Sequence, residues 1–221
     1  MNLQSQLLSP VYDFDRCPQP LPDAGLKKFE PLFHAVREIA TLNRQECLLL
    51  AESFEEIRVK RKHYFLKEGD RCRHLAFIAA GSMRMFTTND KGYEHIVSFG
   101  LEGCWMMDYE SFLLKSPSVS AIEALEDSTL LVISHHKFDL LLNTVPGFAQ
   151  LIDRSNRKNV IAAQRRIHAA IGLSAEEKFL ALFKSYPAFL NRFPQIMIAS
   201  YLGITAETLS RIRRQIWCVN K

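Results

Sequence analysis

A chain of 221 residues, 48% apolar and with a net charge of +4, can bury a substantial core as one large domain or two small ones. No run of about 18 apolar residues occurs, and the N-terminus (MNLQSQLLSPVYDF) lacks the basic start and long apolar stretch of a signal peptide. A cytoplasmic protein without a membrane partner is therefore expected, and five scattered cysteines with no CxxC pair argue against a zinc site or a disulfide framework.

The net charge hides an asymmetry. Residues 154–221 carry twelve Lys/Arg and three Glu, whereas residues 1–153 carry sixteen Lys/Arg and twenty-one Asp/Glu. A basic C-terminal third on an acidic body is the footprint of a segment that meets a polyanion.

In chain order, residues 1–25 hold Pro10, Pro18, Pro20 and Pro22 with little periodicity and read as a flexible N-terminal arm. Two amphipathic helices follow at about Leu26–Ile39 and Asn43–Phe54, with Asn43 as an N-cap. From about Ile57 to Ser134, short β-rich runs (HYFL, HLAFIAA, MRMFTT, HIVSF, SAIEAL, TLLVIS) alternate with the turn signals EGD, AGS and NDKG. Many short strands punctuated this way predict a β-roll. His136–Leu142 reads as a short helix, and Pro146 as the first residue of a long one that reaches about Ile171 and stops at Gly172. About 26 residues give that helix a length of about 39 Å, which needs a partner surface. Ser174 and Glu177 form a capping box for a further helix that ends near Tyr186 and Pro187.

The last stretch, PQIMIASYLGITAETLSRIRRQI, reads as a helix-turn-helix. Ile196, Ile198, Ala199 and Leu202 are the apolar positions of its first helix, Gly203 the turn, and Thr205 the N-cap of the second. Leu209, Ile212 and Ile216 repeat at three and four and mark the buried face of that second helix. The opposite face offers Ala206, Glu207, Ser210, Arg211 and Arg214. In such a motif Arg211 can pair with guanine and Glu207 can accept from a cytosine amino group, while Thr205, Thr208, Arg213 and Arg214 serve phosphates. The candidate DNA-binding residues are thus Thr205, Glu207, Thr208, Ser210, Arg211 and Arg214.

These features together resemble the Crp/Fnr family of transcription regulators over roughly residues 28–217. The signatures are IASYLGITAETLSRIRR at Ile198–Arg214, EGD, FIAAGSMR at Phe77–Arg84, EGCWMMDYESF, and IEALEDS at Ile122–Ser128. Among family branches they are similar to the short cyclic-nucleotide-binding-like regulators common in the Bacteroidetes. The implied architecture is α+β. It comprises a cyclic-nucleotide-binding-like jelly roll at 26–145, a connecting and dimerising helix at 146–172, and a helix-turn-helix domain at 173–221. The resemblance implies a homodimer on an inverted repeat of double-stranded DNA, with RNA polymerase as a further partner. It assigns base contacts to Glu207, Ser210 and Arg211. Ala206 precedes Glu207 where the Crp branch has Arg, which points to the Fnr branch and a TTGA-like half-site.

Departures from the family pattern concern the effector. Where nucleotide-binding members carry Gly-Glu, this chain has Met107-Asp108. Ser118 stands where the phosphate-neutralising Arg is expected, and Ala121 where a phosphate-contacting hydroxyl is expected. A buried phosphate without a cation is costly, so control by cyclic AMP is not expected. Trp105, Met107, Asp108, Ser118 and Ala121 remain a candidate pocket for an unknown, less anionic small-molecule effector. The alternative is that Trp105, Met106, Met107, Phe112 and Leu113 simply fill the core. With only Cys17 near the N-terminus, no iron–sulfur cluster, other metal or cofactor is called. The chain ends soon after the recognition helix and has no room between Pro187 and Pro194 for a wing hairpin, so backbone contacts should be fewer and binding salt-sensitive. No cupin-type His/carboxylate set, P-loop, Rossmann glycine motif or G-x-S-x-G appears, so an enzyme is not expected. The competing function is a ligand-sensing or protein-interaction module that does not bind DNA.

Overall fold

The computed structural model describes residues 25–219, with side chains described to residue 216. The expected arm at 1–24 lies outside the described residues. The chain divides into two compact units, 19–159 and, at the C-terminal end, 160–221, with the boundary inside one long helix.

The larger unit opens with a single 3-10 turn at Lys27–Phe29 and then helices α1 (Glu30–Arg37) and α2 (Arg44–Ser53). The first is shorter than its amphipathic pattern suggests. The second starts as expected: the Asn43 side chain accepts from the Glu46 amide while the Glu46 carboxylate accepts from the Asn43 amide, each at 2.9 Å.

Among the described residues, eight strands build two antiparallel four-stranded sheets. They are β1 (Glu55–Val59), β2 (Tyr64–Leu66), β3 (His74–Ala80), β4 (Met83–Thr88), β5 (Glu94–Gly100), β6 (Trp105–Met106), β7 (Ala121–Ala124) and β8 (Ser128–Ser134). One sheet has the order β1-β8-β3-β6 and the other β2-β7-β4-β5. Strands β1 and β6 had no separate signal in the sequence. Leu75, Ala76, Phe77 and Ile78 of β3 are all buried, as are Leu130 to Ile133 of β8. Both faces of that sheet are therefore covered, which explains why its strands read as continuous apolar runs. Gly81 turns β3 into β4 with φ +94°, and a β-carbon there would stand 2.4 Å from Ser128 Oγ.

Between β6 and β7 lies a short helix, α3 (Tyr109–Leu114), in a stretch that showed no helical signal. After β8 come α4 (His135–Thr144) and the long α5 (Pro146–Gly172). The first turn of α5 is anchored by Phe148, whose ring lies about 6 Å from those of Phe54, Trp105 and Phe138. Gly172 is the last residue of α5 and is not in the left-handed conformation, so a glycine cap does not end the helix. The chain instead passes through Leu173 to Ser174, which begins the next helix.

The C-terminal unit contains α6 (Ala175–Ser185), α7 (Pro187–Arg192), α8 (Gln195–Leu202) and α9 (Ala206–Val219). Its core is Phe179, Leu182, Phe189, Phe193, Ile198, Ala199, Leu209 and Ile212. The interval after Pro187, read only as too short for a hairpin, is the helix α7, because Pro187 fits a first turn and Phe189 has a core to enter. Ile196, one of the apolar positions of α8, is 68% exposed. It sits two positions before Ile198 and so about 200° around the helix from it.

Candidate nucleic-acid interface

The C-terminal motif is held by local chemistry. Gly203 adopts φ +66°, ψ +36°, and the amide of Ile204 donates back to the Ala199 carbonyl at 3.0 Å. This closes α8 with the 6→1 bond of a Schellman turn, which needs a left-handed residue and so favours glycine. The Thr205 hydroxyl then accepts from the Thr208 amide at 3.2 Å and caps α9. Leu209 and Ile212 are buried, and Ala199, 1% exposed, supplies a small side chain in the core that α8 and α9 share.

With that face buried, the other is fixed by helical geometry. Thr205, Glu207, Ser210, Arg211 and Arg214 are exposed, while Thr208 and Arg213 are half-buried. The positions proposed for base contact therefore share the outer face of one helix, beginning at its first turn. Arg211 and Arg214 have no carboxylate partner among the described residues. Glu207 is exposed, and its carboxyl is held below the usual carboxylate range by its own backbone N–H and by the Thr205 hydroxyl. In the unbound chain this carboxylate therefore sits over the start of α9. The second half of α5 joins this unit through Arg166, whose guanidinium lies 4.5 Å from the Tyr201 ring centroid.

The positions singled out for ligand chemistry lie in the other unit and are closed on themselves. Asp108, Ser111, Ser118 and Ser120 are all buried. Asp108 caps α3 by accepting from the Ser111 amide at 3.1 Å, and its second oxygen accepts from the Ser118 hydroxyl. Ser118 Oγ in turn accepts from the Ser120 amide at 3.1 Å. Ser111 Oγ donates to the Ser116 carbonyl at 2.6 Å and accepts from the Cys72 amide at 2.9 Å. The residues standing at the Glu and Arg positions of a nucleotide site are thus bonded to each other.

The rest of the candidate pocket is dispersed. Ala121 is buried in β7, Met107 is half-buried, and Trp105 packs edge-to-face in the aromatic core, 4.9 Å from Phe77 between ring centroids. Its indole Nε1 is buried without a hydrogen-bond partner among the described residues. Met106 and Phe112 are buried, but Leu113 is 49% exposed. A cleft of about 670 Å³ lies elsewhere, lined by Leu26, Lys28, Phe29, Leu48, Phe54 and Lys137 among others, and none of the five candidate residues lines it.

One buried polar group escaped the sequence reading. Arg84 on β4 stands directly opposite Glu123 on β7, and its Nε donates to the Glu123 carboxylate at 2.6 Å. Glu94 binds the same guanidinium from β5, and the Arg84 cation lies 4.2 Å from the Phe86 ring centroid. Burial alone would lower the arginine's proton affinity, but the two carboxylates outweigh it and the net shift is upward.

Comparison with known proteins agrees with this architecture. Residues 56–145 match the cyclic nucleotide-binding domain family. The chain is 28% identical over 184 residues to the regulatory protein HlyX of Actinobacillus pleuropneumoniae, covering 78% of this chain and 76% of that one. It is 29% identical over 184 residues to the electron transport regulator A of Shewanella oneidensis, covering 78% and 73%. Among solved structures, FixK2 of Bradyrhizobium japonicum superposes with a TM-score of 0.64 at 15% identity, covering 76% of this chain and 86% of that one. A transcriptional regulator of the Crp/Fnr family from Eubacterium rectale gives 0.59 at 16%, covering 80% and 84%. Among the described residues no helix is long and apolar enough to cross a membrane. Residues 56–145 thus form a cyclic nucleotide-binding domain, the chain is similar over 78% of its length to proteins named as regulators, and it shares the fold of solved Crp/Fnr regulators.

Proposed function

We propose that the protein binds double-stranded DNA as a homodimer on an inverted-repeat operator, through α9, and does so without cyclic AMP. The observation that carries this reading is the outer face of α9. Glu207, Ser210, Arg211 and Arg214 are exposed on a helix whose opposite face is locked by Leu209 and Ile212. Arg211 is the principal base reader in this proposal, Glu207 and Ser210 assist it, and Thr205, Thr208 and Arg214 hold phosphates. The domain division follows: the roll as the sensing or scaffold part, α5 as connector, and the helices from 173 onward as the DNA-binding part. The chain acts as a cytoplasmic regulator and not as a catalyst.

A dimer is supported by α5. From Val160 onward it exposes Val160 (67%), Ile161 (42%), Ile167 (59%) and Ile171 (83%). Val160, Ile167 and Ile171 are spaced seven and four apart and share one side of the helix. A helical stretch this apolar and this bare calls for a partner, and a second copy presents the same stripe. Independence from cyclic AMP is supported by the Asp108–Ser118 bond. It occupies buried donors and acceptors and leaves Ser118, a neutral hydroxyl bonded to a carboxylate, where the phosphate's cation would be needed.

Selection of bound duplexes from random DNA tests the reading. An inverted repeat of TTGA-like half-sites is the expected product. Arg211→Ala should weaken binding to the selected duplex by about 1–3 kcal/mol and relax the preference at one position of each half-site, with an unchanged melting temperature. Recovery of no repeat, or equal binding by wild type and variant, would overturn it in favour of a sensing or interaction module.

A further inference from the structure

Within the C-terminal unit, the second half of α5 presents two features on different sides of one helix. Val160, Ile167 and Ile171 form the exposed apolar stripe. Arg166 lies about 120° around the helix from that stripe. Its guanidinium faces the other way, over the ring of Tyr201 on α8, 4.5 Å from the centroid. A planar guanidinium on an aromatic face is attracted by the electron-rich surface of the ring. Both residues belong to the same compact unit, so the contact is internal to it.

The aromatic end of the contact is held firmly. The Tyr201 ring meets Phe189 of α7 edge-on at 6.4 Å between centroids, and Phe189 is flanked by Tyr186 at 4.9 Å and Phe193 at 5.1 Å. Ala199 of α8 and Leu209 of α9 are buried in one core, so α9 follows wherever α8 is held. The end of α5 is held less well. It joins the unit through its last turn, where the Leu173 amide donates to the Ala169 carbonyl at 3.1 Å and Ser174 begins α6. Ile171 and Leu173 are exposed, so this joint is thinly packed. A helix attached only at its end can swivel about that end. Arg166 lies about 9 Å along the axis from Gly172. An attachment there is a second fixed point, and two points set the direction of α5 against α9.

We propose that Arg166 is a positioning residue: clamped on Tyr201, it fixes the angle between α5 and α9 and thereby sets the half-site spacing that the dimer accepts. In a two-fold dimer joined along the α5 stripe, each reading helix is carried by its own copy of α5. The separation of the two α9 helices then follows from the angle between α5 and α9 within each copy, and that separation has to match the centres of the half-sites. Arg211 reads which bases are present, whereas Arg166 governs how far apart they must lie without touching DNA. The position of Arg166 off the stripe is what allows both tasks, because α5 can meet a second copy on one side and hold α8 on another. This inference rests on the homodimer and operator reading above, and the experiment separates the two.

The test uses the full chain and a set of duplexes built from the selected operator. The half-sites are kept at their native separation or moved together or apart by one or two base pairs. Affinities are measured by fluorescence anisotropy across a salt series. One base pair turns a half-site by about 34° around the duplex, so wild type should prefer the native spacing by about tenfold or more. Arg166→Ala and Tyr201→Leu should each narrow that preference. An exposed cation–π contact is worth a factor of about two to five, and two copies per dimer compound it to about fivefold or more. Both variants should keep the wild-type preference for bases within each half-site, measured on operators with single-base changes. Tyr201→Phe keeps the aromatic face and should restore the wild-type spacing preference, which separates the clamp from the folding of α8. A full spacing preference in Arg166→Ala overturns this proposal alone. So does an equal loss at every spacing with a salt slope lower by about one, which would make Arg166 a phosphate contact. So does a Tyr201→Phe that behaves as Tyr201→Leu, which would assign the role to the hydroxyl. A wild type indifferent to spacing overturns the dimer reading and this proposal together.

Discussion

The helix-turn-helix and the buried polar cluster around Asp108 are built from similar polar residues, yet they treat them in opposite ways. On α9, Ser210, Arg211 and Arg214 are exposed, and the two arginines have no carboxylate partner among the described residues. In the roll, Asp108, Ser111, Ser118 and Ser120 are buried and satisfy one another. A side chain kept for an outside partner has to be left exposed or unpaired in the free protein. A buried group cannot be left so, because an unmet donor or acceptor costs roughly 1–3 kcal/mol. The bonds these residues make are internal ones, and what they hold is α3 and the loop after it. The contrast predicts that substitutions in the roll change stability and leave sequence preference alone, whereas substitutions on the face of α9 do the reverse.

The largest effect should come from the buried ion pair of the roll. Glu123→Ala removes the carboxylate facing Arg84 and leaves a buried cation held by Glu94 alone. Breaking such a pair on one side costs about 3–5 kcal/mol. Denaturant unfolding should show that loss, and the refolded variant should still prefer the operator over scrambled DNA. A cost below about 1 kcal/mol would mean that Arg84 escapes to water and that the pair is peripheral.

Next in size is Asp108→Ala. It strips the cap from α3, orphans the Ser111 amide and leaves the Ser118 hydroxyl only its bonds to Ser120, for an expected loss of about 2–4 kcal/mol. Calorimetry with cyclic AMP should show no micromolar binding to wild type, and the nucleotide should not restore the melting temperature of the variant. A nucleotide-dependent rise in either protein would mean that the buried cluster opens to a ligand, and the contrast between the two regions would then fail.

How much of this was legible in the sequence depended on the range of the interactions involved. The helix-turn-helix rests on neighbours: Gly203 and Ile204 close one helix, Thr205 and Thr208 open the next, and residues three and four apart supply the buried face. The Asn43 N-cap and the capping box of Ser174 with Glu177 are visible for the same reason. The pair Arg84–Glu123 was not visible, because it depends on the register of two strands 39 residues apart. Strand β6 is only two residues long and exists because Trp105 and Met106 pair with Phe77 and Ala76. Helix α3 is set by Asp108, which had been weighed only as a ligand-site residue. The facing of Ile196 was not legible, because every second residue of QIMIASYL is apolar or small, and only the packed structure decides which of them face inward.

The smallest expected effect concerns the cap that α9 and its first reading residue share. Thr205→Ala removes an N-cap hydroxyl and should cost about 1 kcal/mol of stability. It should also release Glu207, whose carboxyl is held below its usual range by its own backbone N–H and by Thr205. A depressed folded-state pKa stabilises the folded form above the unfolded pKa of about 4.3, and that contribution is lost as pH falls through the lower folded value. The group is fully exposed, so the dependence should be shallow and confined to acid below about pH 4.5. NMR titration of the Glu207 carboxyl is the direct measure: its midpoint should rise toward the ordinary value in Thr205→Ala. An unmoved midpoint would show that the backbone N–H alone holds the charge, and that the threonine serves the helix without serving the reader.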